Sequence, residues 1–234
     1  MLTVTGSSAT TATRGTKHLS TPVHLPALVN TEPQRLLLGV NAFELTRPPR
    51  EIDSARIAGV CEEVRNAASP PRGFTYSRRL YHGFGIDPTR HRPSSEALWR
   101  RIRKGLDFPR VHPAVDATNL LSLELQVSFG LYDAKKISGD MIAAAGAQDE
   151  GYAGIGRGWI ALAGKPLLRD EAGPFGNPSA DSARTRVTAS TRVLIHVLFF
   201  HPEDPRAEDT THLALHEFAR LTGAVPLECP PVPA

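Results

Sequence analysis

The sequence predicts an α+β domain with a mostly antiparallel or mixed β-sheet and peripheral helices. Three observations carry this. Two apolar runs, Leu36–Phe43 and Val193–Phe200, have the length and composition of strands. Other stretches set their apolar residues at the spacing of one helix face. The 20 prolines and 19 glycines cut the 234-residue chain into short elements, which argues against a helical bundle.

The elements follow in order. Residues 1–33 are rich in Thr and Ser, nearly free of acid and without apolar period, and read as a disordered leader. A transit-like role also fits that composition. Leu36–Phe43 is a buried strand, ended before Pro48-Pro49. Ile57, Val60, Cys61 and Val64 define a helix within Glu51–Ala67, and Cys61 is core on it. Ala68–Gly73 is a Pro-rich turn, and Arg78–Thr89 reads as a loop. Its Tyr81 and Phe84 beside arginine fit base stacking or packing on the core, and packing is the simpler reading.

Pro93-Ser94-Ser95-Glu96 signals a helix start, with Ser as cap and Glu96 near the positive end of the dipole. Ala97, Leu98 and Ile102 face inward, and Gly105 ends the helix. Asp116 is the expected cap of the next helix, which carries Leu120, Leu121, Leu123 and Leu125. Ser128–Ala134 reads as a glycine turn, Met141–Ala145 as a strand, and Gln148–Tyr152 as a turn. Gly154–Gly158 resembles a phosphate loop only weakly: no Lys-Ser/Thr follows it, and Trp159–Leu162 reads as a strand. A hairpin fits better. Leu167–Gly176 turns twice. Asn177–Thr188 is dense in hydroxyls, which make turns but also grip polar ligands. Val193–Phe200 is a strand buried on both faces, with His196 a sheet residue rather than a ligand. Asp209-Thr210 caps a last helix that stops at Gly223. This gives one domain over residues 34–222 and a loose Pro-rich tail over residues 223–234.

Composition narrows the function classes. Cys61 and Cys229 are the only cysteines, and their spacing suits neither a disulfide framework nor a metal site. No apolar run is long enough to span a membrane, and no secretory signal is visible. A cytoplasmic protein without metal or other cofactor is the expectation. Charge is more telling. From Arg72 to His112 ten Lys/Arg face three Asp/Glu, a local balance of +7 in a chain whose total is +3. Cations in a helix's last turn are ordinary dipole partners. Charge so concentrated also suits a polyanion, for which Arg92, Arg100, Arg101, Arg103 and Lys104 are the candidate contacts.

Several motifs recur together. They are Asp87-Pro88-Thr89-Arg90, Arg92–Leu98, Val115–Leu120 with Leu123-Glu124-Leu125, and Gly173–Gly176 with Asp181-Ser182, Arg184-Thr185 and Thr191. On these motifs the chain resembles the B3/B4 domain of the bacterial phenylalanyl-tRNA synthetase β subunit, most closely the freestanding B3/4-domain proteins. The resemblance runs from about Leu36 to Pro202 and implies layered β-sheets with helices outside. It also implies an editing function: hydrolysis of the ester of a mischarged aminoacyl-tRNA, in trans for the freestanding form. A pocket that selects one side chain by binding alone cannot reject every isostere, and a second hydrolytic site adds discrimination. The family's His after L-E-L is replaced here by Gly130.

The resemblance proposes Asp181, Asn119 and Thr185 as catalytic, with Asp181 orienting water or holding the α-amino group. Ser182, Arg184, Gly173, Phe175, Gly176 and Gly130 would bind substrate, with backbone amides near Gly173–Gly176 as oxyanion donors. Two alternatives stand beside this reading: a tRNA- or RNA-binding module without catalysis, and a binder or hydrolase of a free amino acid or small aromatic metabolite.

Overall fold

The computed structural model describes residues 25–230. The fold is α+β. Its central sheet has the order β10-β2-β9-β3 and is antiparallel throughout, built from β2 (Leu37–Glu44), β3 (Ser128–Asp133), β9 (Val193–Phe200) and β10 (Val225–Leu227). A second sheet, order β1-β4-β7-β8, is mixed. It joins β1 (Leu28–Asn30) in parallel to β4 (Met141–Ala145), then β7 (Pro166–Asp170) and β8 (Gly173–Gly176) antiparallel. The hairpin β5 (Gly151–Ala153) and β6 (Trp159–Ala161) stands apart.

The strand β9 decides the layering. All eight of its residues are buried, and their alternation feeds two cores. Leu194, Leu198 and Phe200 pack with the helices, while Val193, Ile195, Val197 and Phe199 pack against the second sheet. The helical layer comprises α1 (Ser54–Asn66), α3 (Ser94–Arg103), α4 (Pro113–Leu125) and α5 (Ala207–Thr222). A fifth helix, α2 (Gly73–Gly83), sends Phe74 into the helical core and Leu80 into the core between the sheets.

Several expectations change. Arg78–Thr89 is no loop through its first half: α2 forms without a side-chain cap, because Phe74, Ser77, Leu80 and Tyr81 bury one face. Gly130 sits mid-strand in β3, not in a turn. Leu167–Gly176 is a hairpin of two strands, closed at Glu171-Ala172. The serines do not cap α3, whose preceding residue is Pro93. The helix α4 begins a turn earlier than expected, capped by His112. Asp116 reaches back to accept from the Val111 and His112 amides. Both ends of the domain extend past 34–222: β1 lies inside the expected leader, and β10 inside the expected loose tail, paired with β2. Residues 1–24 of that leader and residues 231–234 of the tail lie outside the described residues. Among the described residues, no helix is long and apolar enough to cross a membrane.

Candidate functional site

The basic helix α3 is organised around a buried acid. Glu96 is 1% exposed and receives hydrogen bonds from Arg78 Nε at 2.7 Å, Arg78 Nη2 at 2.6 Å and Arg100 Nε at 2.7 Å, with Arg92 Nε at 3.6 Å. Burial pushes its carboxyl up, but the hydrogen bonds and charges of Arg78 and Arg100 outweigh this and hold it below the ordinary value. One carboxylate thus orients the guanidiniums of Arg78 and Arg100, with Arg92 within ion-pair distance, and the three side chains keep 37–41% of their surface.

Beside them runs a groove of about 640 Å³, lined by Arg92, Arg100, Arg101, Lys104 and Arg157 among others, with Ser179 at one wall and no carboxylate. Four of the five expected nucleic-acid contacts therefore meet in one place. Arg103 does not join them. Its guanidinium donates to the Val64 and Arg65 carbonyls at the end of α1 and lies over the Trp99 ring, so it serves packing and the capping of α1.

At Ser179 the groove meets a clamped segment. Three tyrosines engage three consecutive residues: Tyr81 hydrogen-bonds the Ser179 hydroxyl, Tyr152 donates to the Ala180 carbonyl at 2.5 Å, and Tyr132 donates to Asp181 Oδ1 at 2.8 Å. Burial raises all three phenols, so they remain neutral donors. Asp181 is half-buried as a residue, its carboxyl deeply so. Burial pushes that carboxyl up to about 7, against the hydrogen bonds of the Tyr132 phenol and the Leu131 amide, which pull it down. A carboxyl poised near neutrality can exchange a proton at working pH.

The other expected residues are dispersed around this acid. The Cβ positions of Gly130 and Gly176 lie 1.9 and 2.1 Å from the Tyr132 hydroxyl, so the phenol fills the space a side chain at either would take. Phe175 is fully buried, edge-on to Tyr132 at 4.9 Å. Ser182 is buried and accepts from the Arg184 amide at 3.1 Å. Arg184 forks onto Asp170 at 2.8 and 2.9 Å and donates to the Lys136 and Gly173 carbonyls, so its guanidinium is committed to the scaffold. Thr185 is fully buried, and its hydroxyl has no hydrogen-bond partner among the described residues. Asn119 rides on α4 in the helical layer, whereas Tyr132 and Asp181 belong to the other side of the central sheet. The structure does not bring Asn119 to the acid.

Sequence reasoning missed the three tyrosines as a unit. They lie on α2, β3 and β5, and no spacing links them. Among the described residues no group of three or more His, Cys, Asp or Glu stands close enough to hold a metal ion.

These features define a class: an α+β domain of two four-stranded sheets and a hairpin, with a cationic groove that is lined by Ser179, two residues from a buried, tyrosine-bound acid. The family can be stated outright, because the family model described as the B3/4 domain matches residues 77–221, and the chain belongs to the B3/4 domain family. Among solved structures, it is similar to an N-terminal fragment of the phenylalanyl-tRNA synthetase β-subunit from Pyrococcus horikoshii, at 15% identity and a TM-score of 0.44. That similarity covers 90% of this chain and 52% of the fragment, so the chain spans about half of it. Comparison with curated proteins gives no match.

Proposed function

We propose that this B3/4 domain binds the charged 3′ end of an aminoacyl-tRNA and hydrolyses the ester of a mischarged one in trans. The observation that carries the reading is the groove: five cations, no carboxylate, and a wall at Ser179, two residues from Asp181. Phosphates would be held along Arg92, Arg100, Arg101 and Lys104, and the ester would lie toward the clamped segment. The Asp181 carboxylate takes a proton from a water whose oxygen adds to the ester carbonyl. Collapse then breaks the bond to the ribose oxygen, which recovers that proton. Aminoacyl esters are labile, so one positioned acid and a held substrate suffice without the family His.

A second reading, RNA binding without catalysis, draws on one observation: the Tyr132 phenol occupies the place beside Gly130 and Gly176. A panel of misacylated tRNAs separates the two. Hydrolysis by the parent and its loss in Asp181→Asn, with tRNA binding retained, supports the editing reading. Binding without hydrolysis of any member supports the second. In either case Arg100→Ala with Arg101→Ala should lower the slope of log affinity against log salt by about two, roughly one for each phosphate contact. Arg103→Ala should leave the slope unchanged. An unaltered slope in the double variant would remove the groove from the RNA path.

A further inference from the structure

The hairpin β5–β6 lies outside the basic helix, yet its turn supplies the fifth cation of the groove. Arg157 is exposed and lines the groove together with the α3 cations, and no ion pair to it is found among the described residues. Two residues on stands Trp159, 69% exposed, with Ile155 at 46% on the same turn. A tryptophan left in water carries a large unburied apolar area. A Cβ at Gly151 would stand 2.7 Å from the indole Cε2 and Nε1, so the ring lies against bare backbone there while 69% of the residue stays exposed.

The hairpin is anchored. Its inner face sends Tyr152 and Ile160 into a small core with Leu162 and Leu167. Its backbone is tied to the segment of the acid: the Ile155 amide donates to the Asp181 carbonyl at 3.2 Å, and the Ala183 amide to the Ala153 carbonyl at 2.9 Å. A cation beside an aromatic platform on an anchored hairpin is the pairing that holds unpaired nucleotides, the phosphate by charge and the base by stacking.

We infer that the β5–β6 hairpin is a second RNA-contacting element, with Arg157 taking a phosphate and the outer surface of Trp159 taking an unpaired base. This rests on the proposed RNA binding and adds a preference for a single-stranded end over a blunt duplex.

The chain contains only two tryptophans, and Trp99 is 5% exposed, so solvent-exposed emission reports Trp159. The full chain is titrated with a single-stranded oligoribonucleotide of roughly eight nucleotides and with a blunt RNA duplex, while labelled-RNA anisotropy reads binding independently. The single strand should quench the exposed emission, and Trp159→Phe should abolish the quench. Trp159→Ala should weaken single-strand binding by roughly five- to a hundredfold, the range of one stacking contact, and spare the duplex. Arg157→Ala should lower the salt slope for either RNA by about one. Steeply salt-dependent RNA binding with no quench, and with both variants binding as the parent, would overturn the inference and leave the proposed function standing. Absence of any RNA binding would overturn both. Emission that changes with protein concentration alone would assign Trp159 to a protein contact and overturn the inference as well.

Discussion

Gly130 has no side chain because the Tyr132 phenol stands where one would be. A Cβ there would lie 1.9 Å from the hydroxyl and 2.4 Å from Cζ of a fully buried ring. Gly130→Ala must displace that ring from Phe175 and from Asp181. Overpacking of this kind costs about 1–3 kcal/mol, read as a lowered urea midpoint. Pairing it with Tyr132→Phe should restore only part of the loss, since the ring carbon remains too close. Tyr132→Phe alone has a chemical effect. The phenol pulls the Asp181 carboxyl down, so its removal should move the midpoint of any pH–rate profile upward from about 7; a downward move would mean that Asp181 is not the titrating base. Little of this was legible in the sequence. Asp181 stood out as a carboxylate among hydroxyls, but a glycine mid-strand reads as a turn until its neighbour's hydroxyl is placed.

The helix α3 shows the same division at the scale of an element. Its charge was legible in the run Arg100-Arg101-Ile102-Arg103-Lys104. Of the residues expected to face inward, only Ile102 is fully buried: Ala97 is exposed and Leu98 half-buried, both line the groove, and Trp99 is buried instead. The role of Glu96 was not legible. Near a helix start an acid reads as a dipole partner, whereas here it is the buried acceptor for Arg78 of α2 and Arg100 of its own helix. The helix α2 was itself hidden by Gly73, Thr75 and Tyr76, poor helix formers that packing overrides. Glu96→Gln keeps one acceptor but loses the charge. Hydrogen bonds to charged partners are worth about 1.5–3 kcal/mol, and the arginines' partial exposure reduces this to about 1–2 kcal/mol. The folded carboxyl is held below its ordinary value. Its stability is therefore present at neutral pH and lost as pH falls through that lowered value. The urea midpoints of parent and Glu96→Gln should differ at neutral pH and converge in strong acid. Equal midpoints at neutral pH would show that the buried carboxylate gains nothing over a neutral amide.

At the scale of the whole molecule, two buried groups on opposite faces of the central sheet oppose each other in acid. His196 stacks on Phe129 at 4.6 Å with Phe218 at 5.0 Å, and neither ring nitrogen has a hydrogen-bond partner among the described residues. Burial lowers it from 6.5 to about 3. Between those values the unfolded chain takes a proton that the folded chain refuses, so stability falls as pH falls. Asp181 does the reverse. Its carboxyl is raised from 3.8 to about 7, so the folded chain keeps a proton that the unfolded chain releases, and stability falls as pH rises through that window. Each slope is at most about 1.4 kcal/mol per pH unit, and across the shared window they nearly cancel. The buried strand β9 with its histidine was legible in the sequence; this opposition was not, because it depends on which face each group occupies. Asp181→Asn leaves the histidine alone, and its urea midpoint should climb as pH is raised from about 4 to 6.5. His196→Leu leaves the acid alone and removes two unpaired nitrogens, so its midpoint should exceed that of the parent near pH 4 and decline relative to it as pH rises. Parallel profiles for the parent and both variants would mean that neither group is buried in the protonation state its surroundings impose.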